Sequence, residues 1–189
     1  MITKIFRRKS QFQTVFTFSD ISRLIDRQPD KNLLSALSYH VGKGNLIRLS
    51  KGIYALDDKY SRFEFANKLR QPSYISLYSI LTKHGIVFQP YTSIFLISNR
   101  SETIEITSQK YIYRKIKNQI LLNSQGILEI DGVFEATPER AVLDKIYLDG
   151  EEYFDNLSII NWDLATRLNE TVYRSRKITA YINKMYKHA

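Results

Sequence analysis

Two sets of side chains in this chain are of types that act on, or bind, a phosphodiester backbone. The first is acidic. Glu129, Asp131, Glu135, Glu139 and Asp144 crowd one short stretch, and carboxylates so concentrated could hold a divalent metal for phosphodiester cleavage. Yet Asp131 falls in a predicted turn and Glu139 in the first turn of a predicted helix, and no lysine nearby completes a nuclease-like set on a strand. Structural duties are the better reading of these acids. The second set is polar and basic: Asn32, Ser35, Tyr39 and Lys43 share one arc of a predicted helix, flanked by Lys31, Ser38 and Gly42, and Arg48 and Lys51 flank the tip of a predicted hairpin. None of that arc is acidic. An ordinary solvated face usually mixes both signs, whereas a face laid against phosphates loses affinity with every carboxylate it carries.

Other chemistry finds no support in the spacing. His40, His84 and His188 are far apart and follow no metal-ligand pattern. There is no phosphate-cradling glycine loop, no nucleophile elbow and no zinc-binding helix motif. Neither a cofactor nor a catalytic residue is expected, and no resident metal.

The elements that must position the basic set are readable between Phe16 and Leu56. Phe18, Ile21, Leu24 and Ile25 lie at helical spacing within Phe16 to Ile25, with Ser19 as a candidate N-cap and Asp20 in the first turn, where the helix dipole favours an anion. Pro29-Asp30 breaks the chain, and Asp30 can cap a second helix running to about Lys43. Leu33, Leu34, Leu37 and Val41 form its apolar arc, opposite the polar set, with Ala36 and His40 at the edge. Gly42-Lys43-Gly44-Asn45 ends it, because glycine tolerates the left-handed conformation of a helix C-terminus. Strands at Leu46 to Leu49 and Ile53 to Leu56, joined through Ser50-Lys51-Gly52, complete a winged helix-turn-helix pattern. Such a unit ordinarily lays its second helix in the major groove of DNA while the hairpin touches the adjoining backbone.

The remainder reads as α+β. Tyr60 to Leu69 is a predicted connecting helix, and Tyr74 to His84 carries Ile75, Leu77, Tyr78 and Leu81 in helical register. Strands follow at Ser93 to Ser98, Thr103 to Thr107 and Gln109 to Ile116, then a hairpin over Ile127 to Phe134 turning at Asp131-Gly132. Thr137-Pro138-Glu139 opens a helix to about Tyr147, and helical stretches at Trp162 to Thr171 and Arg174 to Lys187 form a tail. Arg174, Arg176, Lys177, Lys184 and Lys187 make the last of these basic; a solvated face accounts for them better than a second phosphate contact does. The expected division is a winged helix-turn-helix over 1–70 and an α+β domain with C-terminal helices over 71–189.

Charge supports that division. The chain of 189 residues has a net charge of +9, and residues 1–60 hold 11 basic and 5 acidic side chains, a net of +6, leaving +3 for the rest. A local excess of this kind suits a polyanion, since each phosphate neutralised releases condensed counterions. With 43% hydrophobic and 25% charged residues the chain is an ordinary globular one, not a disordered one. Cysteine is absent, which excludes disulfides and thiolate chemistry and permits a reducing compartment. The start, Met1 to Ser10, lacks the apolar core of a signal peptide, and no run reaches the roughly 20 apolar residues that span a bilayer. A cytoplasmic protein without a membrane partner is expected.

Three blocks, in this order and at this separation, narrow the expectation: Leu46-Ile-Arg-Leu-Ser-Lys-Gly-Ile-Tyr54, Pro72-Ser-Tyr-Ile-Ser-Leu-Tyr-Ser-Ile-Leu-Thr-Lys-His-Gly85 and Ala136-Thr-Pro-Glu-Arg-Ala-Val-Leu-Asp144. Together they resemble the AbiEi family of antitoxins over most of residues 16–148. The resemblance implies an N-terminal winged helix that binds inverted repeats in double-stranded DNA at its own promoter, two copies to a paired site, and a C-terminal domain that opposes a nucleotidyltransferase-like toxin in an abortive-infection system. Type IV antagonism, without a stable toxin complex, is the mode it implies. It places Lys31, Asn32, Ser35, Tyr39 and Lys43 toward the groove and Arg48 and Lys51 toward the backbone, and it implies a transcriptional autorepressor rather than an enzyme. The rival readings are a metal-dependent nuclease delivered to DNA by the winged helix, and a module whose winged helix mediates protein assembly. The segment after Asp149 matches no pattern of the family.

Overall fold

The structure, a computed structural model, describes residues 13–186. The basic N-terminal residues through Ser10, and Lys187 and His188 at the other end, lie outside the described residues. The chain divides into two compact units, Met1–Leu69 and Arg70–Ala189.

The first unit opens with β1 (Val15–Thr17), followed by α1 (Phe18–Leu24) and α2 (Lys31–Gly42), then β2 (Ile47–Ser50), β3 (Ile53–Ala55) and α3 (Arg62–Leu69). The three strands form one antiparallel sheet in the order β1-β3-β2. Phe16, expected in the first helix, belongs instead to β1, where it pairs with Tyr54. Spacing alone could not reveal this, because the partner strand is distant in sequence. The helix therefore begins at Phe18, and its cap is Thr17 rather than Ser19. The Thr17 hydroxyl accepts the Asp20 N–H at 3.1 Å, and the Asp20 carboxylate accepts the Thr17 N–H at 2.9 Å, the reciprocal arrangement of a capping box.

Asp30 does cap the second helix, its Oδ1 accepting the Leu33 N–H at 2.7 Å. Leu33 and Leu37 are wholly buried and meet Phe16, Ile21, Leu46 and Tyr54 in a single core. Leu34 departs from the expected apolar arc: it is 47% exposed and stands beside Ser35 on the outer side. Gly44, at φ +69°, supplies the left-handed residue that ends α2. At the hairpin tip Gly52 has φ +74°, and its carbonyl accepts the Phe18 N–H at 2.8 Å, fastening the tip to the start of α1.

A clamp from α3 holds the entry to this sheet. The buried Glu64 carboxylate accepts the Thr14 N–H at 2.8 Å, the Thr14 hydroxyl at 2.7 Å and the Val15 N–H at 3.2 Å. Lys68 pairs with Glu64 at 2.8 Å and also donates to the Val15 carbonyl. Sequence reading assigned Glu64 no role, and its partners lie a whole module away.

The second unit is built on a six-stranded mixed sheet: β4 (Ser73–Ile75), β5 (Ile94–Ser98), β6 (Glu102–Ile106), β7 (Gln109–Lys115), β8 (Ile127–Ile130) and β9 (Val133–Ala136), in the order β6-β7-β5-β4-β9-β8. The hairpin between β8 and β9 turns at Asp131 and Gly132, both with positive φ. Tyr74 and Ile75, expected in a helix, lie in the central strand β4 between β5 and β9. A strand this short and buried on both faces has no alternation to betray it; α4 begins only at Tyr78 and ends at Lys83. The short α5 is Asn118–Leu121. Helix α6 (Pro138–Asp149) packs on α4, with the Thr137 hydroxyl accepting the Arg140 N–H at 3.3 Å and Pro138 in the first turn. The tail differs from two simple helices: α7 (Trp162–Leu168) runs into a π-helix over Asn169–Tyr173, Arg174 turns left-handed at φ 50° and ψ 44°, and α8 is Arg176–Tyr186. The unit is α+β, and no helix among the described residues is long and apolar enough to cross a membrane.

Candidate nucleic-acid interface

All seven residues of the polar and basic set are exposed: Lys31, Asn32, Ser35, Tyr39, Lys43, Arg48 and Lys51. Four lie on α2, Lys43 is its C-cap residue and two belong to the hairpin, all within the same compact unit. Local hydrogen bonds settle the helix face. The Ser35 hydroxyl donates to the Lys31 carbonyl at 2.9 Å and the Ser38 hydroxyl to the Leu34 carbonyl at 2.9 Å, which keeps both side chains against the helix and leaves the surface between Lys31 and Lys43 low. Tyr39 is the prominent side chain, 62% exposed. The Lys43 ammonium stands 5.9 Å from the Tyr39 ring centroid, and His40 meets the same ring edge-on at 5.7 Å.

Two acids of this unit are engaged in helix caps. Asp30 is occupied as the cap of α2. Burial alone would raise the Asp20 carboxyl, but hydrogen bonding from Thr17 and the cations Lys68 and Arg23 outweigh it and hold the group below its ordinary value. Leu34 is the residue that sequence reading missed here. An exposed leucine amid serines and lysines on this helix is suited to a thymine methyl, the one apolar feature of the major groove. Its signal was hidden because helical spacing put it on the apolar arc.

The acidic set is scattered. Glu129 and Asp131 are exposed on the β8–β9 hairpin. Glu135 pairs with Lys83 at 2.6 Å, a lysine that sequence reading had not placed near it, and Glu139 accepts the Asn161 N–H at 3.1 Å. Among the described residues no group of three or more histidines and carboxylates is placed to hold a metal ion.

Asp144 instead anchors a buried network that joins the second and third sequence blocks. It accepts the hydroxyls of Ser76 at 2.8 Å, Tyr74 at 3.1 Å and Tyr173 at 2.7 Å, and lies 3.8 Å from the Arg140 guanidinium. Arg140 is fully buried and donates to the carbonyls of Ile120 and Gln125, both at 2.7 Å. Burial pushes Asp144 up, against Arg140 and the three hydroxyls. Burial opposes the charge on Arg140 as well, yet Tyr173, Tyr74 and Asp144 keep its pKa above the ordinary guanidinium value. A desolvated pair of this kind is costly unless its remaining hydrogen bonds are made. Here nearly all are: Arg140 Nε, the atom nearest Asp144, is the one guanidinium nitrogen without a hydrogen bond.

The chain matches no model of a known protein family, and a search of curated proteins returned no match.

Proposed function

We propose that the first unit is a winged helix-turn-helix that binds double-stranded DNA, with α2 in the major groove and the β2–β3 hairpin against the adjoining backbone. The observation that carries this reading is the outer face of α2 together with the hairpin: seven exposed polar or basic residues, no carboxylate among them, on two elements pinned together by a common core. Asn32 and Tyr39 offer hydrogen bonds to base edges, Leu34 an apolar contact, and Lys31, Lys43, Arg48 and Lys51 the phosphate contacts. Asn and Gln recognise adenine through its major-groove edge, which makes Asn32 the prime candidate for sequence readout.

On the resemblance to AbiEi antitoxins, the chain acts as a transcriptional autorepressor, two copies on inverted repeats at its own promoter, and the second unit counteracts a nucleotidyltransferase-like toxin. The packing of Tyr74 and Ser76 against Arg140 and Asp144 supports treating the blocks at Pro72 and Thr137 as one architectural signature. Two experiments test the proposal. The purified chain should retard its own promoter fragment and lose that retardation when the inverted repeat is scrambled; equal retardation of both fragments refutes sequence-specific repression. Co-expression should relieve growth arrest by the product of the adjacent nucleotidyltransferase-like reading frame, and unrelieved arrest refutes the antitoxin role.

A further inference from the structure

Within the second unit, an open cleft of ≈ 260 Å³ separates the turn around α5 from the π-helix. Lys117, Gln119, Tyr147, Thr171 and Arg174 line it, and no carboxylate does. Neither Lys117 nor Arg174 is ion-paired among the described residues, although most other cations of this unit are engaged, as Arg70, Lys83, Arg114, Lys145 and Lys184 are.

The backbone under Arg174 is built with unusual rigour. Arg174 is left-handed, a conformation strained for any side chain with a Cβ and easier for glycine or asparagine. Asn169 enforces it. Its Oδ1 accepts the Ser175 N–H at 3.0 Å, and its Nδ2 donates to the Ser175 carbonyl at 3.2 Å and to the Thr179 hydroxyl at 2.9 Å. The five-residue π-helix preceding it is a feature that recurs at functional sites. A strained non-glycine position held by a side-chain staple is a reason to ask what its side chain serves.

The buried network fixes both walls of the same cleft. Arg140 holds the Ile120 and Gln125 carbonyls on the α5 side, and Asp144 holds the Tyr173 hydroxyl on the π-helix side. The costly buried pair thus sets the separation of two exposed cations. We propose that this cleft binds a small phosphate-bearing anion, with Lys117 and Arg174 supplying positive charge and the Gln119 amide a neutral polar contact. Two cations match a dianion, and Tyr147, half-buried in the lining, is an aromatic neighbour for a base when the phosphate is that of a nucleotide.

The full chain, in phosphate-free buffer of low ionic strength, is titrated separately with inorganic phosphate and with adenosine 5′-monophosphate, followed by amide NMR shifts and calorimetry. Saturable binding is expected at millimolar concentration or below, with shifts around residues 117–120 and 171–175. Lys117→Gln and Arg174→Gly should each weaken it about tenfold or more, and Lys184→Gln should leave it unchanged. Arg174→Gly relieves the left-handed strain, so its Tm should stay level or rise while binding is lost, an outcome a merely structural arginine would not give. If Arg174→Gly fails to fold, Lys117→Gln, outside that turn, decides the matter. Tighter binding of the nucleotide assigns the phosphate to a nucleotide, and equal binding assigns it to the free anion. Failure of both probes to saturate, undiminished binding by the variants, or shifts confined to Lys31, Lys43, Arg48 and Lys51 overturns the proposal, the last without touching the DNA reading.

Discussion

Removing Lys43, Arg48 and Lys51 together, each replaced by alanine, tests the DNA-binding face with a magnitude that can be worked beforehand. All three are exposed, so truncating them should change stability by no more than about 0.5 kcal/mol each. If each neutralises one phosphate, each contributes about 0.9 to the slope of log K against log salt. The triple variant should therefore lose about 2.7 from that slope per chain, and about 5.4 when two chains occupy an inverted repeat. At about 0.1 M salt the same arithmetic removes about 2.7 logarithmic units of affinity per chain, roughly 500-fold, and the deficit shrinks toward nothing near 1 M. Fluorescence anisotropy of a labelled promoter duplex across a salt series reads both quantities. A control triple, Lys110, Lys115 and Lys184 to alanine, removes the same charge from the second unit. An unchanged slope in the first triple, or an equal loss in the control, refutes the assignment of this face.

Arg140→Met should cost about 3–5 kcal/mol in urea denaturation, because it strips the Ile120 and Gln125 carbonyls of their donor and leaves Asp144 buried without its cation; Arg140→Met with Asp144→Leu should recover part of that loss, and a single variant as stable as the parent contradicts the assigned network. Asp20, with its folded-state pKa held below the ordinary carboxylate value, takes up a proton on unfolding in acid. Its contribution is thus complete above about pH 4 and lost as pH falls through the lowered folded value, so Asp20→Asn should flatten the acid limb of the stability profile, and an identical limb counts against the capping box. Thr137→Ala should cost about 1 kcal/mol by removing the cap of α6, measured as a shift in the thermal midpoint.

What the sequence disclosed and what it concealed divide along the range of the interactions involved. Asp30, Thr137-Pro138, Gly52 and Asp131-Gly132 were legible because each acts within a few residues: a cap accepts an N–H three positions on, and a turn residue sets its own φ. The β1 and β4 strands were not, since three residues carry no period and only their partners, Ile53 to Ala55 for one and β5 and β9 for the other, make them strands. The polar arc of α2 was readable from helical spacing, yet spacing misassigned Leu34, whose exposure depends on where the core stops. Tyr74, Ser76, Arg140, Asp144 and Tyr173 each look like ordinary helix or strand residues; their common purpose exists only in three dimensions. The left-handed turn at Arg174 gave no warning either, because the usual signal for one is a glycine.

The Glu64 clamp bears on how this protein can be cut and recombined. The two helices and the hairpin end at Ala55, where a boundary drawn by motif alone would fall. Such a fragment would carry Thr14 and Val15 without the carboxylate that receives their N–H groups, and without Lys68 on the Val15 carbonyl. The first strand would then be held on one side only, by β3. The exchangeable piece is therefore larger than the motif: a graft meant to carry α2 to a new host has to bring α3 through Leu69, and a library of chimaeras crossing over between Leu56 and Glu64 should yield poorly folded members whichever parent supplies the helix.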